Sequence, residues 1–276
     1  MATERTFSIR IARQDRPGSG TYWESFHVQY LPQMNITSAL QEVAAHPVTV
    51  DGKKTTPVAY DAACLEEICG SCTMVINGRV RQACSALVDS LLSDGRSEIT
   101  LEPMTKFPVM RDLSVNRSRM FHELLRVHAW VPVDGYHHAG AGPLVGPEEQ
   151  EESYPLSKCM TCGCCVESCP QYGKVEVARN EGESDAAFAN REAAEWDHAF
   201  LGPATISQAV RFNTHPTAQL TAKGRLESLM APGGISECGN AQNCVKVCPK
   251  DIPLTRSIAQ AGRQTTFYSI KRWFSR

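Results

Sequence analysis

The chain has 276 residues, enough for two domains of ordinary size. Hydrophobic residues make up 42%, charged residues 21%, and the formal net charge is -2, which excludes a disordered chain, a membrane-embedded one and a basic nucleic-acid binder. No apolar run approaches the roughly 18 residues that span a bilayer, and the opening Met1-Ala2-Thr3-Glu4-Arg5-Thr6 lacks the apolar region of a secretory signal, so the expectation is a cytosolic chain. Twelve cysteines in a reducing compartment point to metal ligands rather than disulfides.

In chain order, Phe7, Ile9 and Ile11 alternate with polar residues. Phe26, Val28 and Tyr30 do so again after a Pro17-Gly18-Ser19-Gly20 turn, which predicts an antiparallel strand pair. Ile36, Leu40 and Val43 recur at helical spacing behind Asn35 as N-cap, and Pro47 follows the helix end. Cys64-x4-Cys69-x2-Cys72-x11-Cys84 comes next. Asn77-Gly78 lies between the last two cysteines and predicts a tight hairpin that returns Cys84 to the first three. Ser97–Met104 reads as a closing strand. This order of strands, one helix, a cysteine loop and a returning strand resembles the β-grasp ferredoxin fold.

Leu113–Trp130 predicts a helix with Met120, Leu124, Val127, Leu125 and His128 on an apolar stripe, closed by Pro132. Gly135–Glu152 mixes Gly, Pro, His137-His138 and the acidic run Glu148–Glu152 without periodicity and reads as a solvated linker. Helices are then expected over Ala187–His198, Thr205–Asn213, Thr221–Met230 and from Leu254 to the C-terminus. The expected class is α+β: a β-grasp domain over 1–112, a connecting helix and linker over 113–152, and an all-α domain over 153–276.

The chemistry lies in the cysteines. Cys159-x2-Cys162-x2-Cys165-x3-Cys169-Pro170 carries the spacing in which three thiolates of a tight loop hold one cubane cluster while the fourth ligates another. The ruler recurs as Cys238-x2-Ala241-x2-Cys244-x3-Cys248-Pro249, with alanine in place of the second cysteine. Cys159, Cys162, Cys165 and Cys248 then satisfy a [4Fe-4S] cluster. Cys169, Cys238 and Cys244 offer three thiolates, which suits a [3Fe-4S] cluster. Cys64, Cys69, Cys72 and Cys84 share C-x4-C-x2-C with plant-type ferredoxins and argue for [2Fe-2S], although the last interval is shorter than theirs. Thiolates match soft cluster iron better than oxygen or imidazole ligands do. Structural zinc also uses paired C-x2-C segments, but it closes them into tetrahedral fours and does not account for the proline-terminated run or its swapped ligand. Cys164 remains over and reads as a small buried apolar residue.

No nucleotide loop, flavin fingerprint or acid-base pair accompanies these sets, so the chain reads as a wire rather than a reaction centre. The order of the three cysteine runs, together with Asn77-Gly78-Arg79-Val80-Arg81-Gln82-Ala83-Cys84 and Pro108-Val109-Met110-Arg111-Asp112-Leu113, is similar over nearly the whole chain to the iron-sulfur subunits of succinate dehydrogenases and fumarate reductases. The resemblance implies an FAD-containing flavoprotein partner that oxidises succinate, a membrane-anchor cytochrome b, and electrons passed singly through the three clusters to haem or quinone. It places the chain peripherally on the cytoplasmic face of a bacterial membrane. Ubiquinone-using members carry tryptophan shortly after the equivalent of Cys169 and histidine after that of Cys238. Here Gln171-Tyr172-Gly173-Lys174 and Gly239 stand instead, which resembles the menaquinone branch with a dihaem anchor. Fumarate reduction is the alternative direction. Molybdenum-hydroxylase iron-sulfur subunits share the first run but lack both Cys-Pro runs, and thiol-linked fumarate reductases fill position 241 with cysteine.

Overall fold

The structure, a computed structural model, describes residues 5–93, 95–132 and 143–275. Its elements run β1 (Thr6–Arg13), β2 (Tyr22–Gln29), α1 (Ile36–Ala45), β3 (Thr73–Ile76), β4 (Arg79–Gln82), α2 (Val88–Leu92), β5 (Glu98–Glu102), β6 (Val109–Arg111), β7 (Ser114–Val115) and α3 (Ser118–Arg126). Then follow α4 (Pro147–Ser157), α5 (Cys164–Glu167), α6 (Asp185–Trp196), α7 (Gly202–Thr214), α8 (Ala222–Met230), α9 (Asn243–Lys246) and α10 (Leu254–Phe274). The chain divides into two compact units, Met1–Asn116 with Met160–Glu167, and Arg117–Cys159 with Ser168–Arg276. Residues 160–167, expected within the second domain, thus group with the first.

The first unit is built on a five-stranded mixed sheet of order β2-β1-β5-β3-β4. β1 pairs antiparallel with β2 and parallel with β5, and β3 lies antiparallel to both β4 and β5. Alternation in β1 turns Phe7, Ile9 and Ile11 inward, where they meet Phe26, Val28, Ile99 and Leu101 in one core. α1 covers that core with Ile36, Ala39, Leu40 and Val43, all buried. It starts at Asn35, whose Oδ1 accepts from the Ser38 N–H at 2.9 Å, the N-cap expected from the sequence. Asn77, at φ 49°, and Gly78, at φ 74°, make the hairpin turn between β3 and β4, since both positions of such a turn need positive φ.

Two expectations fail in the middle of the chain. The helix predicted from Leu113 begins only at Ser118, because residues 109–115 form the small β6–β7 hairpin around Asp112, at φ 48°. Its stripe is only partly as expected: Met120 and Val127 are buried, but Leu125 is exposed, and Arg119 and Glu123 are buried on the helix as an i,i+4 ion pair at 2.8 Å. Periodicity of apolar residues could not reveal a face held by charge. The linker, too, is shorter than expected. Pro147–Ser157 is helical, started by Pro147 in the first turn with Glu148 and Glu149 beside the positive end of the helix. It buries only Leu156, so it carries no apolar period to detect. His137 and His138 lie outside the described residues.

Among the described residues the second unit is helical throughout. α7 is its core element, buried continuously from Gly202 to Val210. Buried Arg225 on α8 donates to the carbonyls of Ala218 and Phe212 and to Asn213 Oδ1. α6 begins two residues earlier than expected because Ser184 caps it, accepting from the Ala187 N–H at 3.3 Å.

Candidate iron-sulfur sites

The loop holding Cys64, Cys69 and Cys72 is wound by residues in the left-handed region: Leu65 at φ 61°, Glu67 at φ 55° and Gly70 at φ 70°. That winding turns amide hydrogens inward. The N–H groups of Glu66, Ile68 and Cys69 donate to Cys64 Sγ at 3.4, 3.3 and 3.3 Å, and that of Ser71 donates to Cys69 Sγ at 3.4 Å. The Ser71 hydroxyl, then backbone donors, pull the Cys69 thiol down to about 6, so a thiolate is favoured there. Burial pushes Cys84 the other way, up to about 11. Cys84 is returned by the hairpin as predicted, and its carbonyl accepts from Asn35 Nδ2 at 2.9 Å, so the residue that caps α1 also steadies the fourth thiol. A thiol-rich loop already lined with N–H donors to sulfur fits a [2Fe-2S] centre.

Gly70 has a second reason to be glycine. A Cβ built on it would lie 2.6 Å from Cys162 Cβ, so the loop of the first set packs its backbone directly on a cysteine of the second run.

The two Cys-Pro runs share a backbone as well as a spacing. Thr161 and Asn240, at equivalent positions, both have φ 53°; Gly163 at φ 92° and Gln242 at φ 60° match likewise. Each loop then enters a four-residue helix, α5 and α9, in the same register. Ala241 therefore stands where Cys162 stands. Cys162 and Cys165 are buried in the first unit; Cys159 and Cys248 are half-buried members of the second.

Cys169, Cys238 and Cys244 all line one small pocket with Pro170, Gln171 and Ala241. Burial raises the Cys244 thiol above its usual value. Three thiols and one methyl around a common space fit a cluster with three protein ligands. The departures noted at Gln171 and Gly239 belong together: a Cβ on Gly239 would come within 2.5 Å of Gln171 Nε2, so the glutamine carboxamide takes the space beside the glycine. Among the described residues no three Cys, His, Asp or Glu side chains are placed to hold a single metal ion.

Cys164 is buried as expected, but it is more than filler. Buried Gln82 donates from Nε2 to its Sγ at 3.2 Å. The neighbouring Cys162 thiol, then burial, raise its own thiol far above the ordinary range. Gln82 carried no signal in the sequence beyond its place in the Asn77–Cys84 stretch.

A family model described as a 2Fe-2S iron-sulfur cluster binding domain matches residues 8–122, and one described as a 4Fe-4S dicluster domain matches residues 155–252. The chain is 45% identical to the succinate dehydrogenase iron-sulfur subunit of Bacillus subtilis over 99% of its own length and 98% of the relative's. It is 28% identical to the fumarate reductase iron-sulfur subunit of Wolinella succinogenes, over 94% of this chain and 97% of that one. Its fold matches a chain of the Mycobacterium smegmatis Sdh1 complex in the apo form with a TM-score of 0.74, 20% identity, and coverage of 96% and 98%. With that full-length kinship and its two iron-sulfur domains in order, the chain belongs to the family of succinate dehydrogenase iron-sulfur subunits.

Proposed function

We propose that this subunit conducts electrons from a succinate-oxidising flavoprotein partner toward a quinone-reducing membrane anchor, through [2Fe-2S], [4Fe-4S] and [3Fe-4S] centres in that order. The observation that carries the reading is the pair of Cys-Pro loops with the same positive-φ positions and helix register, which differ by one thiol of the repeated spacing and so call for two clusters of different nuclearity. When bound, the clusters supply one-electron carriage between a two-electron donor and acceptor. The chain's own residues do the rest. Cys64, Cys69, Cys72 and Cys84 hold the first centre, with backbone N–H groups stabilising the Cys64 and Cys69 sulfurs. Cys159, Cys162, Cys165 and Cys248 hold the second; Gly70 brings the loop of the first set onto Cys162. Cys169, Cys238 and Cys244 hold the third around their shared cavity.

No helix among the described residues is long and apolar enough to cross a membrane, and membrane association is assigned to the anchor. The far end of α10 exposes Phe267, Ile270, Trp273 and Phe274 next to Lys271 and Arg272, a composition suited to docking at an interface with the anchor on the cytoplasmic face. Gln171-Tyr172-Gly173-Lys174 and Gly239 stand where ubiquinone-using relatives carry a tryptophan and a histidine, which supports exit to an anchor haem and menaquinone. The relative at 45% identity is a succinate dehydrogenase and the one at 28% a fumarate reductase, which favours succinate oxidation as the working direction.

Native purification from membranes tests the reading. Co-purification of a flavoprotein and a haem-bearing anchor, with succinate-dependent quinone reduction and three distinct iron-sulfur EPR signals, is expected. A chain that purifies alone with all its clusters would make it a free-standing ferredoxin instead.

A further inference from the structure

We propose that the groove between α8 and α10 binds the phosphate headgroup of an anionic phospholipid, with Arg263 and Lys271 as its cationic sides and Phe267 as its apolar floor. The site deepens the membrane-side role given to α10 above and rests on it.

The charge on α10 is one-sided. Its 21 residues hold Arg256, Arg263, Lys271 and Arg272 and no Asp or Glu. Arg256 meets Glu152 at 2.7 Å, and Arg272 lies 3.8 Å from Glu227, the one acid of α8. Glu227 is further engaged by the Tyr268 hydroxyl, which donates to it at 2.9 Å. Arg263 and Lys271 have no acidic partner among the described residues, and both line one open groove of about 380 Å³ that no Asp or Glu lines. They stand eight residues apart in the sequence, about 12 Å along the helix. Phe267 is midway between them, and the Arg263 guanidinium lies over its ring at 5.9 Å. Two long cationic side chains so placed can converge on a single phosphate between them.

A neutral donor joins them. Asn213 Oδ1 accepts from the buried Arg225 Nε at 2.7 Å, so Asn213 presents its Nδ2 to Gln264 Oε1, 2.8 Å away. That fixes the Gln264 carboxamide and leaves its Nε2 hydrogens without a protein acceptor among the described residues, in a side chain that lines the same groove. Half-buried Leu226 and Ala222 line it as well. A free hydrated phosphate gains nothing from Leu226 and Phe267, whereas a lipid lays its glycerol and upper chain carbons on them. Ile270, Trp273 and Phe274 continue the exposed apolar surface to the end of α10. Cations set beside exposed aromatic and aliphatic side chains are the composition of a contact with an anionic membrane surface.

The intact membrane complex, reconstituted in phosphatidylcholine bilayers with a trace of photoactivatable phosphatidylglycerol, tests the site. Photoactivatable phosphatidylcholine with the same chains is the control, and adducts are mapped by peptide mass spectrometry. Phosphatidylglycerol adducts are expected on the peptides around Leu226 and Phe267. Losing one cation at an anionic surface lowers binding about fivefold and losing two about 30-fold. Arg263→Gln and Arg263→Gln/Lys271→Gln should lower the labelling by those factors, and Arg263→Lys, which keeps the charge, should retain it. The choline probe should label these peptides only as weakly as the phosphatidylglycerol probe labels the double variant. Arg263→Gln leaves the last turns of α10 as they are, so the test stands if the double variant releases the anchor. Equal labelling by the two probes, no adduct on these peptides, or unchanged labelling in Arg263→Gln would overturn the site. A carbodiimide crosslink from Lys271 to a carboxylate of the anchor would also overturn it, by putting a protein segment in the groove. Failure of the underlying reading would be visible earlier and separately, as a subunit that purifies without an anchor.

Discussion

The guanidinium of Arg13 and the carboxylate of Asp112, 99 residues apart in the chain, meet at 2.8 Å with both side chains fully buried. Arg13 also donates to Glu24 Oε2 at 2.7 Å and to the Thr56 carbonyl and hydroxyl. Asp112 accepts from the Gln14 and Ala59 N–H groups at 3.2 and 2.8 Å. The network thus ties β1 to the loop before the first cysteine and to the turn of the β6–β7 hairpin. Removing one partner of a buried pair strands the other charge. Asp112→Ala should cost about 3–5 kcal/mol of stability, toward the lower end because Glu24 stays beside Arg13. Denaturant unfolding of the purified complex measures it, and a cost under about 1 kcal/mol would show that water reaches the site.

On the ligand set proposed above, Ala241 sets the nuclearity of the third centre. It lines the cavity with the three thiols at the position that Cys162 holds in the other loop. Ala241→Cys should convert the [3Fe-4S] centre to a second [4Fe-4S] centre. Its potential should fall within the roughly -700 to +450 mV range open to protein clusters, and succinate-to-quinone turnover should slow. The oxidised wild type should show the near-isotropic EPR signal of a three-iron centre, and Ala241→Cys should lose it. Two cubanes in the native protein would rule out the three-ligand set.

Truncation after Gln264 removes Phe267, Trp273 and Phe274, which are 63%, 71% and 77% exposed on α10. The truncated subunit should lose its attachment to the membrane anchor while keeping its cluster signals. Recovery of the anchor at wild-type yield in a pull-down would reject the docking role.

Glu123 gives the second unit a dependence on pH. Burial pushes its carboxyl up to about 7, against the opposing pull of Arg119 and of the Tyr172 hydroxyl. The folded value lies above the ordinary carboxylate value of 4.5, so the folded state binds the proton more tightly than the unfolded state. That contribution to stability is fully present below about pH 4.5 and is lost as pH rises through about 7. Its slope is at most about 1.4 kcal/mol per pH unit. Glu123→Gln should flatten this part of the melting-temperature profile. An unchanged profile would mean that Glu123 is ionised throughout.

Spacing in the chain decided the most about function, because cluster ligands are set by short loops whose cysteines need fixed intervals. The repeat of C-x2-C-x2-C-x3-C-P with Ala241 in it was legible, and the two loops carry the same run of positive φ angles. The β1–β2 pair, the Asn35 cap and the Asn77-Gly78 hairpin were legible for the same reason: each is a local preference that burial reinforces. The tertiary structure alone decided what depends on partners distant in sequence. Charge buried on α3, the polar helix α4 and the β6–β7 turn at Asp112 have no apolar period to announce them. Gly70 is a plain loop glycine until Cys162 is seen to occupy the space of its missing side chain. Cys164 reads as a spare thiol until Gln82, 82 residues earlier, is found donating to it. A hydrogen bond between buried groups costs little when satisfied and much when broken, and only the fold says which two groups meet.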